Sequence, residues 1–154
     1  MGNKQSNNKI NPVTSRLSNP VNLMETKFVL GIIDPQYDFM RGGSLEVADA
    51  NDIIGPINKL RFILYDYLEV FFSQDFHPVD HVSFASTHNE PVHTVKNITS
   101  QMGNSIQISF EQTLLPAHCV QGSRGCAFHK DLVILKGDRV FQKGTMSNLS
   151  LIHI

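Results

Sequence analysis

The sequence predicts one α/β domain built around a parallel sheet. Three short apolar runs end at or beside charged residues: FVLGIID (28–34), LEVFFSQD (68–75) and LVILKG (132–137). Uninterrupted apolar runs are typical of strands buried on both faces, as in parallel sheets. Helical periodicity separates the first two runs, and the order strand, helix, strand is that of a parallel α/β unit.

Composition narrows the class of protein. The 154 residues leave room for one domain with a real core, and a hydrophobic content of 41% is ordinary for a globular chain. A net charge of −1 gives nucleic acid no electrostatic attraction. The sequence contains two cysteines, Cys119 and Cys126, too few for a disulfide framework, which predicts a cytoplasmic protein.

The chain divides into three predicted segments. Residues 1–26 are polar and rich in Asn and Ser, which predicts a disordered leader; 27–137 form the domain, and 138–154 read as an atypical tail. Gly2 begins a pattern that fits N-myristoylation, the alternative being an unmodified tail. One acyl chain would give weak membrane association only.

One helix is predicted within the domain, followed by a long loop. Asn51 or Asp52 would cap this helix, whose apolar positions are Ile53, Ile57, Leu60, Leu64 and Tyr67. Residues 76–117 show no regular pattern. An irregular loop of that length is usually functional or mobile.

Charged side chains at the ends of the predicted strands indicate a site. Asp34, Asp75 and Lys136 follow the three apolar runs, and parallel sheets bind ligands beyond the carboxyl ends of their strands. Asp34 could act as a general base and Lys136 could hold negative charge. The alternative for Asp34 is a capping acid, and the alternative for Lys136 is a solvated lysine.

A metal site is the second hypothesis. Asp75 and His77 can face the same side of an extended segment, and His118 is a third candidate ligand. Two imidazoles and a carboxylate suit zinc, with iron or manganese as alternatives, and His81 is a further candidate ligand. Taken alone, the Asp-x-His pair is a weak motif and is more typical of a polar loop.

Four segments together resemble a known family. DPQYDFMRGGSLEV (34–47), SQDFHPVDHVSFASTH (73–88), LPAHCVQGSRGCAFH (115–129) and LKG (135–137) are similar, in order and spacing, to the nicotinamidase/pyrazinamidase branch of the isochorismatase-like hydrolases. The resemblance implies a three-layer α/β/α sandwich, here incomplete on its C-terminal side. It also implies hydrolysis of a linear amide C–N bond, converting nicotinamide to nicotinate and ammonia in NAD metabolism.

The resemblance also assigns roles. Asp34 would be the general base and Lys136 the catalytic lysine. One divalent metal on Asp75, His77 and His118, joined by His81 in some members, would anchor the pyridine nitrogen of a nicotinamide-like substrate. Phe39 would form part of the ring-stacking wall, and Gln36 would lie beside the site as a second substrate-binding residue.

Two departures from the family pattern limit these expectations. Leu115 stands where the family has a tryptophan, and the cysteine motif that supplies the nucleophile is not found after Lys136. Neither Cys119 nor Cys126 matches that motif. A truncated, inactive nicotinamidase-like chain is therefore expected. The alternative is a non-catalytic isoform or fragment that binds metal, forms a homo-oligomer or pairs with a full-length homologue.

Overall fold

The structure, a computed structural model, describes residues 28–102 and 106–148. The predicted leader, including Gly2, lies outside these residues. Within the described ranges, no helix is long and apolar enough to cross a membrane.

A three-stranded parallel sheet organises the domain. With strands numbered along the chain, its order is β1 (Phe28–Ile32), β2 (Leu68–Asp75) and β5 (Arg139–Lys143). Both pairings are parallel, and Phe71 of β2 pairs with Gly31 on one side and Arg139 on the other. The predicted parallel α/β fold is confirmed, and β2 has the predicted bounds.

The predicted helix is present but begins later. α1 spans Ile54–Ile63 and follows a 3₁₀ turn at Ala50–Ile53. No side chain caps its start; Asn51 Oδ1 instead accepts a bond from the Arg41 amide at 2.8 Å. The predicted cap therefore stabilises a loop.

The core lies between α1 and one face of the sheet. Its buried members are Ile32, Met40, Ile54, Phe72 and Leu132. On the other face, Val29 and Phe141 stay 66% and 55% exposed. Only the α1 layer of the expected three-layer sandwich therefore covers the sheet within residues 28–102 and 106–148.

The third strand was predicted in the wrong place. Residues 132–137 form turns and irregular backbone: Leu132 enters the core, and Gly137 adopts a φ of 112°, a conformation that favours glycine. The chain reverses there and enters β5. Residues 139–143 of the predicted tail are therefore an integral part of the sheet, and the boundary at 137 is corrected.

Residues 76–117 are also more regular than predicted. They contain a short helix, α2 (Ala85–His88), and an antiparallel pair, β3 (Val95–Met102) and β4 (Ile106–Thr113). Polar residues interrupt the apolar pattern of β3, whereas Ile106, Ile108 and Phe110 of β4 alternate with polar residues, a strand signal that the prediction overlooked. Their pairing supplies the regularity that hydrophobic periodicity did not reveal in β3.

Candidate active site and metal centre

Three strand ends bring charged side chains together. Asp34 follows β1, while Asp75 and Lys143 end β2 and β5 as paired residues in the parallel register. Asp34 adopts a φ of 47°, which is uncommon outside glycine and is often found at functional sites. The predicted site therefore lies at the carboxyl edge of the sheet.

Lys143 bridges the two carboxylates. Its Nζ lies 2.8 Å from Asp34 Oδ2 and 2.5 Å from Asp75 Oδ1. Ser73 Oγ donates to Asp34 Oδ1 at 2.7 Å and so fixes the other oxygen. Burial alone would lower the pKa of Lys143, but its hydrogen bonds to Asp34 and Asp75 raise the pKa above the usual value. The lysine is therefore a permanent cation between two acids.

Lys136, the predicted catalytic lysine, does not reach this site. It lines a different pocket together with Val29, Glu69 and Arg139, which lie at the beginnings of the three parallel strands. Because the chain reverses at Gly137 before β5, Lys136 is placed at the opposite end of the sheet. The lysine at the carboxyl edge is Lys143, and the prediction is corrected accordingly.

The three predicted metal ligands converge. One side-chain donor atom each from Asp75, His77 and His118 lies within 4.8 Å of the others, and all three residues are buried. The His77 amide donates to Cys119 O at 3.0 Å, which draws the segment carrying His118 against the end of β2. A backbone bridge, rather than sequence proximity, therefore completes the group.

Both imidazoles are oriented for metal binding. His77 Nδ1 lies 2.9 Å from Gly144 O, and His118 Nδ1 lies 2.8 Å from Pro116 O. A carbonyl oxygen only accepts, so each Nδ1 carries the proton and each Nε2 keeps a lone pair. Burial lowers the pKa of His118, which favours its neutral form. The donor set therefore fits a divalent cation.

Asp75 completes this set as an anion. Burial would raise its pKa, but the neighbouring His77 ring and the Lys143 ammonium, which donates to Oδ1, outweigh burial and lower the pKa to about 2. Its Oδ2 lies 3.6 Å from His77 Nε2. A carboxylate is therefore available to a cation at every physiological pH.

His81 is close to the three ligands but is not one of the donors grouped with them. Its ring centroid lies 4.1 Å from that of His77, and its Nδ1 lies 2.7 Å from Ser83 Oγ. It packs against the His77 ring.

A pocket of about 270 Å³ opens onto both groups. Its apolar wall consists of Phe39, Leu45 and Leu115, and the Phe39 ring centroid is 5.8 Å from that of His118. The polar side is formed by Asp34, Asp75, His77, Ser83, His118 and Lys143. The cavity thus has room for a small molecule, with an apolar wall on one side and polar groups on the other.

Gln36, expected to bind substrate, does not line the pocket. It is fully buried, and its Nε2 donates to Asp75 O at 2.7 Å and to Cys126 O at 2.9 Å. Its amide is thus occupied by backbone groups and is not available to a substrate.

The two cysteines are not activated thiols. Cys119 and Cys126 are buried, and neither lines the pocket. Burial, with carboxylates nearby, raises the pKa of both thiols above the ordinary value. A thiol in that state is a poor nucleophile.

Sequence reasoning missed Lys143 and Ser73. The available signal for Lys143 was the run RVFQKG, in which a short segment of strand-forming residues ends in lysine and glycine. The more apolar run before it was preferred as the third strand.

Comparison of the fold first defines a class. An isochorismatase-like hydrolase from Alkaliphilus metalliredigens superposes with a TM-score of 0.50 at 18% identity, over 77% of this chain and 53% of that one. A pyrazinamidase of Pyrococcus horikoshii, solved in complex with zinc, does so with a TM-score of 0.60 at 23% identity, over 80% and 55%. At these identities the likeness concerns the fold, which is isochorismatase-like.

Nearer relatives identify the branch. An Acinetobacter baylyi nicotinamidase is 34% identical over 119 residues, which are 77% of this chain and 50% of that protein. The structure of an Acinetobacter baumannii nicotinamidase/pyrazinamidase superposes with a TM-score of 0.65 at 32% identity, over 79% and 54%. No protein-family model matches the chain. Over the aligned residues the chain is similar to the nicotinamidases, as predicted, and it spans about half the length of the relatives it matches.

Proposed function

We propose that this chain provides the metal-binding and acid–base part of a nicotinamidase-type amidohydrolase. The reaction is hydrolysis of nicotinamide, a ring carboxamide that takes up water and yields nicotinate and ammonia. This proposal rests on one observation: a single pocket opens onto both the Asp34–Lys143–Asp75 group and the possible metal ligands. The matching relatives are described as nicotinamidases, which favours a hydrolase over the non-catalytic alternative.

The side chains suggest a division of roles. Asp34 is the base that removes a proton from the attacking group, while Lys143 holds the two carboxylates together. Phe39, beside His118, offers a face on which an aromatic ring can stack.

A divalent metal would be held by Asp75, His77 and His118. When bound, it would supply an electrophilic centre that orients an electron-pair donor such as a ring nitrogen. We propose zinc, because two imidazoles with one carboxylate are ligands that zinc favours and the Pyrococcus horikoshii pyrazinamidase was solved with zinc.

The nucleophile is the second part of the proposal. A thioester route requires a thiolate, and both cysteines of this sequence are buried away from the pocket with raised pKa values. We therefore expect residues 1–154 by themselves to bind nicotinamide without hydrolysing it, with the attacking thiol supplied from outside this sequence.

Binding and turnover can be separated experimentally. Zinc loading is measured by elemental analysis, nicotinamide binding by NMR line broadening, and turnover by ammonia release. We expect zinc-dependent nicotinamide binding, lost in His118→Asn and retained in the control His93→Asn, which alters an exposed histidine absent from the pocket lining. Zinc loading without nicotinamide binding would contradict the proposed substrate. Ammonia release by the chain alone would contradict the proposed need for an outside thiol.

A further inference from the structure

The Gln36 side chain forms hydrogen bonds to both backbone groups of Asp75, a predicted metal ligand. Its Nε2 donates to Asp75 O at 2.7 Å, and its Oε1 accepts from the Asp75 amide at 2.7 Å. One side chain thus satisfies both backbone groups of the residue that ends β2. These two hydrogen bonds fix the direction in which the Asp75 carboxylate leaves the sheet.

Asp38 holds the second ligand-bearing segment in a similar way. Its Oδ2 accepts from the Cys119 amide at 2.6 Å, one residue after His118. Cys119 adopts a φ of 47°, a conformation that needs support in a non-glycine residue. The Asp38 carboxylate supplies that support and fixes the course of the backbone next to His118.

The contacts of Gln36 and Asp38 come from one short segment, whose backbone has hydrogen bonds of its own. Gln36 and Asp38 flank Tyr37, whose amide donates to Ala127 O at 3.0 Å, while the Asp38 amide donates to Gly125 O at 3.0 Å. The segment is therefore anchored independently of the ligands that it holds. It also follows directly on Asp34 and Pro35, so the same stretch of backbone positions the proposed base and the metal ligands.

We propose that Gln36 and Asp38 are positioning residues that set the geometry of the Asp75–His77–His118 metal group. This inference rests on the metal site of the proposed function. Side chains that orient metal ligands typically contribute about 10–100-fold to metal affinity. We expect losses in that range from Gln36→Met and from Asp38→Ala.

The chain offers a matched control and a conservative rescue. Gln74 Nε2 donates to Cys126 O at 2.9 Å, as Gln36 does, but no bond from its side chain holds Asp75. Gln74→Met should therefore keep zinc affinity within about twofold of the parent chain, well short of the loss expected on removal of a group that orients ligands. Asp38→Asn keeps an oxygen facing the Cys119 amide and should restore most of the affinity that Asp38→Ala loses.

Zinc affinity of the full chain is measured by competition with a chromophoric chelator, and ligand geometry by the visible spectrum of bound Co²⁺. Equal affinities and spectra for Gln36→Met and Gln74→Met would overturn the role of Gln36. Equal losses in Asp38→Ala and Asp38→Asn would overturn the role of Asp38.

Amide hydrogen exchange of the metal-free chain tests positioning without any metal. Gln36→Met should accelerate exchange at the Asp75 amide and Asp38→Ala at the Cys119 amide, with unchanged exchange in the core strand β1. Unaltered exchange at both amides would refute the inference. If the parent chain takes up no zinc but the variants show accelerated exchange, the metal site is refuted and the contacts of Gln36 and Asp38 are supported.

Discussion

Replacing Lys143 by methionine tests the central feature of the site. The change keeps an unbranched side chain of similar size and removes the only cation that contacts both Asp34 and Asp75 in the described part of the chain. The pKa of Asp75 is about 2, against an ordinary value of 3.8, and this difference corresponds to about 2 kcal/mol of stability at neutral pH.

The expected loss follows from this value. Lys143 shares the lowering of the Asp75 pKa with His77, and its removal also leaves Asp34 without its cation. Breaking a fully buried ion pair costs about 3–5 kcal/mol, but the Lys143 side chain is 34% exposed, so water screens part of the effect. We expect Lys143→Met to lower the free energy of unfolding by about 2 kcal/mol at pH 7.

The pH dependence has a definite sign. Asp75 has a lowered pKa in the folded state, so its contribution is present above pH 3.8 and is lost as the pH falls through about 2. The difference between parent and Lys143→Met should therefore shrink between these values. Lys143 has a raised pKa, so the difference persists below its ordinary value of 10.5 and declines as the pH rises through the folded-state pKa.

Urea denaturation followed by circular dichroism across this pH range measures the effect. The control is Lys136→Met, which alters an exposed lysine at the other end of the sheet and should change stability by about 0.5 kcal/mol or less. A larger loss in Lys136→Met than in Lys143→Met would refute the placement of the site lysine. A loss that does not vary with pH would refute the electrostatic explanation.

Two further predictions concern neighbouring residues. Gly125→Ala should destabilise the chain by about 1–3 kcal/mol, because the added Cβ would collide with the Asp38 carboxylate; Gly55→Ala, where a Cβ meets open space, is the control, and equal melting temperatures for the two variants would contradict the predicted collision. His118 should be mostly neutral at pH 6.5, because burial lowers its pKa; ¹⁵N NMR of the imidazole reports the protonation state, and a half-protonated ring at that pH would disprove the assignment.

Local patterns predicted the sheet strands unevenly. FVLGI and LEVFFSQD are continuous apolar or mixed runs whose burial follows from their composition, and both form strands. LVILKG is equally apolar but does not form a strand, because Leu132 fills the core beside α1 and the chain must then turn to reach the sheet. Hydrophobicity reports that a segment is buried, whereas pairing partners decide which segment enters the ladder.

Part of the site was also accessible from the sequence. Asp34, Asp75 and His77 were singled out by residue type and by their positions after apolar runs, His118 was singled out by residue type, and the structure places all four together. Gln36, assigned to substrate binding through the resemblance, was misjudged because its backbone partners lie far away in the sequence.

The sequence by itself determined the class of fold, the identity of the acids and histidines, and the relationship to the nicotinamidases, because residue types and apolar runs are local properties. Only the tertiary structure decided which lysine joins the acids, which backbone groups hold the ligands, and that both cysteines are buried. These features depend on strand register, on a chain reversal at Gly137 and on contacts between residues far apart in sequence. Such contacts are fixed by the packing of the whole domain, so no local pattern encodes them.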